Sequence, residues 1–243
     1  MLLNKNIKIF ETPLQLANQM SDDLMKAVEQ KPDKFFIAIS GGSTPNVLFK
    51  CLANSPFKEK IEWRKIHFFW CDERCVPPSS SESNYGIASR YLFNFIPIPG
   101  QNIHRIYGES EPRTEVIRYA NEIEHNLPFD NNDLPQFDLV LLGMGEDGHT
   151  ASLFPTKNFL FLFSNIAGVS QHPATSQKRI SLTKDVLCNS KKISFMVTGR
   201  GKAKVLSEII KELPSSKNYP AAEIKPVNGK IDWMIDKEAS FYL

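Results

Sequence analysis

The stretch FDLVLLGMGEDGHTASLFP, Phe137–Pro155, limits the possible folds more than any other part of the chain. Leu139 to Leu142 form a continuous apolar run that Gly143 closes. A short run of this kind predicts a strand buried on both faces, as in a parallel sheet. Gly143, Gly145 and Gly148 then fall within six residues, and His149 follows Asp147-Gly148 directly. Open α/β sheets bind ligands just beyond the carboxyl ends of their strands, so the Asp-Gly-His turn is where chemistry is expected.

Two readings of the turn compete. GMGEDG fits the G-x-G-x-x-G dinucleotide fingerprint, but that fingerprint needs an acidic residue about 20 positions later to hold a ribose hydroxyl. No acidic residue lies between Asp147 and Asp185, and Pro155 stands where the glycine turn should already have become a helix. The other reading makes His149 a catalytic residue held by the turn, with Asp147 as its neighbouring carboxylate.

The strand–glycine turn–helix pattern recurs along the chain. Phe35–Ile39 reads as a strand running into Ser40-Gly41-Gly42-Ser43-Thr44-Pro45, with a helix behind it. Such a turn can cradle a phosphate, because glycine lets backbone N–H groups approach and the helix N-terminus favours an anion. An ordinary tight β–α turn explains the same residues, and the absence of a Walker lysine removes any implication of ATP. Ile66–Trp70 reads as a second strand ending in Cys71-Asp72-Glu73-Arg74, three charges just past the sheet. Arg74 suits a phosphate or carboxylate fork, or an ion pair that ties the loop. Ile193–Thr198 leads into Gly199-Arg200-Gly201-Lys202, where Lys202 is either a second anion ligand or a solvated lysine at a helix start.

Between these units lie weaker signals. Lys8–Phe10, Ile103–Ile106, Arg179–Thr183 and Ile231–Ile235 read as further strands. Thr12 with Pro13 opens a helix to about Gln30, Ser83-Asn84-Tyr85-Gly86 opens one through Phe93, and Glu111–Asn126 has helical apolar spacing. His104 and His125 fall in peripheral segments and read as surface or structural histidines. Five large apolar residues, Phe159–Phe163, read as a core segment, the alternative being a sticky patch or subunit contact. Together these predict an α/β fold with an open, mostly parallel Rossmann-like sheet flanked by helices, spanning 1–243 as a single domain.

Composition narrows the functional classes. Of 243 residues 42% are hydrophobic, enough for a sizeable core, and 29 basic against 27 acidic residues give a net charge of +2. That balance points away from nucleic acid but leaves room for a small anionic substrate. The four cysteines form no C-x-x-C and no zinc-type spacing, so free, buried thiols are expected. No signal-peptide core or membrane-length apolar run occurs, which suggests a reduced, cytoplasmic protein with no membrane partner.

SGGSTP (Ser40–Pro45), DERCVP (Asp72–Pro77), SNYG (Ser83–Gly86), GMGEDGHTASLFP (Gly143–Pro155), RISLT (Arg179–Thr183) and GRGKA (Gly199–Ala203) occur in this order across nearly the whole chain. In them the chain resembles the 6-phosphogluconolactonases, of the same superfamily as the glucosamine-6-phosphate deaminases and ribose-5-phosphate isomerases. GMGEDGHTASLFP is the most specific piece. The deaminases share G-x-G-x-D-G-H but typically continue I-A-F-N-E-P, and their glutamate position is Phe154 here. The resemblance implies hydrolysis of 6-phospho-D-glucono-1,5-lactone, a small phosphorylated sugar lactone, in the second step of the oxidative pentose phosphate pathway.

That chemistry assigns expected roles. His149 is the general base for water, and Asp147 either orients it or braces the turn. Gly41, Gly42, Ser43 and Thr44 cradle the phosphate, with Arg74 and Lys202 supplying charge; Arg179 is a further candidate and Asp72 is placed for sugar hydroxyls. No metal and no cofactor are called for, and a serine esterase is disfavoured because no G-x-S-x-G elbow is present. A phosphosugar sensor without catalysis is the third alternative, and a monomer or weak homodimer is the expected state.

Overall fold

A computed structural model of the protein describes residues 6–130, 133–155 and 164–243, and the backbone of 160–162. In chain order the first elements are β1 (Asn6–Phe10), α1 (Pro13–Glu29), β2 (Phe35–Ile39), α2 (Ser43–Leu52), α3 (Phe57–Lys60), β3 (Ile66–Trp70) and β4 (Asp72–Arg74). The middle of the chain adds α4 (Asn84–Ala88), α5 (Pro112–Asn126), β5 (Leu139–Leu142), β6 (Leu160–Leu162), β7 (Ala167–Gln171) and β8 (Lys178–Leu182). The last third adds α6 (Lys184–Cys188), β9 (Lys192–Val197), α7 (Ala203–Ile210), α8 (Pro220–Glu223) and β10 (Lys230–Asp236).

Six strands form a wholly parallel sheet in the order β1-β10-β9-β5-β2-β3. Every residue of β2, β3 and β5 is buried, as strands covered on both faces must be, β3 included although it stands at one edge; the opposite edge strand, β1, is largely exposed. Helices flank the sheet: α1 packs on α2 and on β1 and β10. Its start is fixed locally, because the Thr12 hydroxyl accepts from the Gln15 N–H and Pro13 occupies the first turn.

The chain leaves β2 in one direction, to β3, and leaves β5 in the other, to β9 and β10. This reversal of winding opens a crevice at the carboxyl ends of β2 and β5. Ser40 closes its floor by donating to the Leu141 carbonyl (3.0 Å).

Two expectations are corrected. Asp72–Arg74, read as a loop beyond β3, is a strand of a second, antiparallel sheet ordered β4-β8-β7-β6. Its polar composition hid it, since only one residue, Cys71, separates it from β3. Ile103–Ile106 is no strand: it makes a single bridge, Phe68 to Ile103, at the sheet edge. The helix from Asn84 does reach Phe93, but its second half, Ser89–Phe93, winds as a π-helix. All four cysteines are free, Cys71 and Cys188 buried and Cys51 and Cys75 half-buried. In the Phe159–Phe163 run only the backbone of β6 is described; its side chains, and Phe159 and Phe163 entirely, lie outside the described residues.

A buried polar chain runs under the outer strand. His67 on β3 bonds His104 through Nδ1 and Nε2 (2.9 Å), and His104 Nδ1 bonds the Glu122 carboxylate (2.6 Å). Burial first, then the positive charge of His104 and Lys34, holds His67 down at about 4. The unfolded chain therefore takes up a proton at His67 before the native state does. Stability is accordingly expected to decline as pH falls from about 6.5 toward 4. Urea titrations across that range should show this slope shallower in His67→Gln; an equal slope would dismiss His67 as its source.

Candidate active site

The crevice becomes a cleft of about 260 Å³. Of the ten residues singled out from the sequence, nine line it: Gly41, Gly42, Ser43, Thr44, Asp72, Arg74, His149, Arg179 and Lys202. Asp147 does not line the cleft but is bound to His149. The lining comes from the turns after β2, β5 and β9, from the strands β4 and β8 and from the start of α4.

The turn after β5 holds a histidine–carboxylate pair. His149 Nδ1 lies 2.6 Å from Asp147 Oδ1, and the same oxygen accepts from the His149 N–H (3.2 Å). In the neutral tautomer whose Nδ1–H donates to Asp147, the Nε2 lone pair is free, the form a general base requires. Burial would raise the Asp147 carboxyl, but the hydrogen bond and charge of His149 outweigh it and hold the group below its ordinary value. Gly145 is required here: a Cβ at this position would sit 2.2 Å from His149 Nδ1 and 2.6 Å from Asp147 Oδ1. The turn is further tied by Gly145 N–H to His149 O (2.9 Å) and by the Thr150 hydroxyl to Gly143 O (2.8 Å).

Phe154 is buried against the back of this pair. Its ring centroid is 5.0 Å from that of His149 and 5.1 Å from that of His172, and the Arg179 guanidinium lies 5.6 Å away over its face. The imidazole is thus held by a hydrogen-bonded carboxylate on one side and an apolar ring on another.

The second sheet supplies most of the charge. In the β4–β8 register Asp72 faces Ser181 and Arg74 faces Arg179, so two arginines stand directly opposite each other. Like charges in that position repel unless an anion separates them. Asp72 Oδ2 accepts from Ser152 Oγ (2.6 Å) and lies 4.0 Å from Arg179 Nη1. Burial lowers the Arg179 guanidinium, against the pull of Asp72. Among the described residues six buried side-chain polar atoms lack a hydrogen-bond partner, and three of them, Arg74 Nε, Asn84 Oδ1 and Arg179 Nε, belong to residues of this cleft. Unsatisfied polar atoms gathered in one place mark a site built for a ligand rather than for fold stability.

Opposite them, α2 begins at Gly42 with no capping side chain, so its first N–H groups and the positive end of its dipole remain available at the cleft. Thr44 Oγ1 meets Thr198 Oγ1 (2.7 Å), joining this turn to the one after β9. That second turn is held from beneath by Asp236, whose carboxylate accepts the Gly199 N–H (3.0 Å). Burial pulls the Lys202 ammonium below its ordinary value, opposed by Glu146 and Asp236.

Sequence reading missed Glu73, Asn84 and Asp236 as parts of the site. Glu73 is buried and accepts from Arg74 N (2.7 Å), Asn84 N (2.8 Å), Tyr85 N (2.8 Å) and Ser83 Oγ (3.1 Å). The alternation of β4 was the available signal: Asp72 and Arg74 share one face, so Glu73 must point to the other.

Comparison with known proteins fits this geometry. The profile of the family described as glucosamine-6-phosphate isomerases/6-phosphogluconolactonase matches residues 11–233. The 6-phosphogluconolactonase of Haemophilus influenzae is 48% identical over 203 residues, 84% of this chain and 85% of that one. Among solved structures, that of the devB protein superposes with a TM-score of 0.92 at 43% identity, covering 98% of this chain and 99% of that one. The 6-phosphogluconolactonase of Thermotoga maritima superposes with a TM-score of 0.80 at 29% identity, covering 96% and 100%.

The Asp147–His149 pair makes its own prediction. Its contribution to stability is present above the ordinary aspartate value of about 3.9 and is lost as pH falls through the lowered native value. In His149→Ala the imidazole's hydrogen bond and charge are lost while burial and the backbone N–H of residue 149 still act on Asp147, so its carboxyl should titrate at higher pH than in wild type. Carbon-detected NMR of the carboxyl reads this directly, and identical midpoints in the two proteins would refute the ion pair.

Proposed function

The chain belongs to the family of glucosamine-6-phosphate isomerases and 6-phosphogluconolactonases, and on that premise we propose that it hydrolyses 6-phospho-D-glucono-1,5-lactone to 6-phosphogluconate. The enzyme is a lactonase rather than a sugar-phosphate isomerase or deaminase. The observation that carries this choice is Phe154, buried against the His149 ring where the deaminase pattern has its glutamate. An apolar ring cannot supply the second carboxylate of a ring-opening site, yet it supports a histidine that works with one carboxylate, Asp147.

The substrate phosphate carries about −1.5 to −2 charges at neutral pH. The uncapped start of α2, with Gly41, Gly42, Ser43 and Thr44, cradles it, and Lys202 and Arg74 supply positive charge. Arg179 adds to the field, and Asp72 accepts from sugar hydroxyls. Anchored by its phosphate, the lactone presents C1 to a water beside His149. The water oxygen bonds to C1 while His149 Nε2 takes one of its protons, and Asp147 stabilises the imidazolium that results. The tetrahedral intermediate then breaks its bond from C1 to the ring oxygen, which leaves with the proton held on Nε2. The products are a hydroxyl at C5 and a carboxylic acid at C1, which ionises to the carboxylate.

The test compares wild type with His149→Ala on lactone generated in situ from glucose 6-phosphate, above the spontaneous rate. Wild type should accelerate hydrolysis, and the variant should lose ~10²–10⁴ of that rate while still binding 6-phosphogluconate. Wild type should release no ammonia from glucosamine 6-phosphate. Phosphosugar binding without any turnover would turn the reading toward a sensor, and ammonia release would turn it toward a deaminase.

A further inference from the structure

Gly41 and Asn84 meet at the point where the two sheets face each other across the cleft. Asn84 opens α4 and is 2% exposed. Its Nδ2 donates to the backbone carbonyl of Asp72 in β4 (2.8 Å). That bond fixes the amide orientation, because the flipped form would set two carbonyl oxygens together. Oδ1 consequently points away from β4, and it has no hydrogen-bond partner. What it touches is Gly41: a Cβ on Gly41 would lie 1.8 Å from Asn84 Oδ1, 2.3 Å from Cγ and 3.0 Å from Nδ2.

These facts separate two jobs of one residue. The local fold of 83–85 is secured by Glu73, which accepts the backbone N–H groups of Asn84 and Tyr85. The Asn84 side chain is not needed for that. Instead it spans from β4 to the turn after β2, and it does so with a buried acceptor left unsatisfied, which the fold alone does not explain. Gly41 has no left-handed φ, so its lack of a side chain answers to the close approach of Asn84 and not to backbone conformation.

Building on the lactonase reading, we propose that Asn84 is a positioning residue that sets the distance between the phosphate cradle and the sugar-binding strand β4. Its amide presses on Gly41 from one side and is anchored to Asp72 on the other. The spacing selects a substrate whose phosphate and polyol are separated as in a hexose 6-phosphate skeleton. His149 and Asp147 sit on a different turn, so loss of Asn84 acts on substrate binding more than on the chemical step.

The experiment is a double-mutant cycle of Asn84→Ala and Gly41→Ala, read by lactone KM and kcat and by calorimetric binding of inorganic phosphate. Each single variant should raise KM and weaken phosphate binding about tenfold, with the smaller share of the loss in kcat. In the double variant Gly41→Ala should add nothing to the effect of Asn84→Ala, because the atoms it collides with are gone. Additive losses, or an Asn84→Ala loss lying mainly in kcat, would overturn the proposal. If Asn84→Ala does not fold, Asn84→Ser serves the same cycle, keeping the backbone bonds to Glu73. Phosphate binding needs no turnover, so a wild type that binds phosphate but hydrolyses no lactone would sink the lactonase reading while the cycle still decides the role of Asn84.

Discussion

Everything at the site depends on one residue that belongs to both sheets. Cys71 is fully buried between β3 and β4. Its N–H donates to Ile39 O (2.8 Å), at the end of β2, and its carbonyl accepts from Leu182 N (2.8 Å), at the end of β8. The last rung of the parallel sheet is thus also the first rung of the antiparallel one. Buried backbone groups must be paired, so this double commitment leaves the second sheet no freedom to swing away. It forces Asp72 and Arg74 to begin at the level where β2 and β5 end, and it carries Arg179 there by cross-strand pairing. A small thiol suits the junction, where its Sγ lies 3.7 Å from Leu141 O.

Which parts of this were legible follows from which faces are covered. β2 and β3 could be read to the residue because both faces are buried, which leaves an unbroken apolar run bounded by polar turns. The second sheet was harder to read: Asp72-Glu73-Arg74, which lines a polar cleft, reads as a loop, and Ala167–Gln171 is too short of large apolar residues to stand out. Arg179–Leu182 was visible only through its Ile and Leu. Among the site residues, many that line the cleft announced themselves by type, as a glycine, arginine, lysine or histidine beside a strand end. The residues that hold them did not. Glu73 and Asp236 look like surface acids in the sequence, yet both are buried, and each is committed to backbone N–H groups that no local pattern reveals.

The cleft is also where the fold is least content. Two arginines face each other, a lysine is pulled below its ordinary value, and three buried polar atoms lack partners. Two buried polar groups elsewhere are fully paired by contrast: Asp138 accepts from Lys31, Lys191 and the Phe36 N–H, and the Tyr119 hydroxyl both donates to and accepts from the Trp70 backbone. The contrast is not accidental composition, since both regions lie at strand ends of the same sheet. On the proposed reading a phosphorylated substrate offsets the repulsion on arrival, so part of its binding energy comes from relief of unfavourable charge already present in the free protein.

Phe154 shows how one framework can separate two chemistries. The turn that presents a histidine beyond a buried strand is set by backbone constraints, Gly145 above all, and would hold with many residues at position 154. What that position decides is the dielectric and the proton inventory around the imidazole. A carboxylate there would add a second base and open the back of the ring to water. The phenyl ring covers that side of the imidazole, while Asp147 holds Nδ1 from another. The contacts of Phe154 with Arg179 of β8 and with His172, just past β7, tie the histidine turn to the second sheet. On the proposed reading, a glutamate at position 154 would have to break that packing before it could add a second carboxylate beside His149.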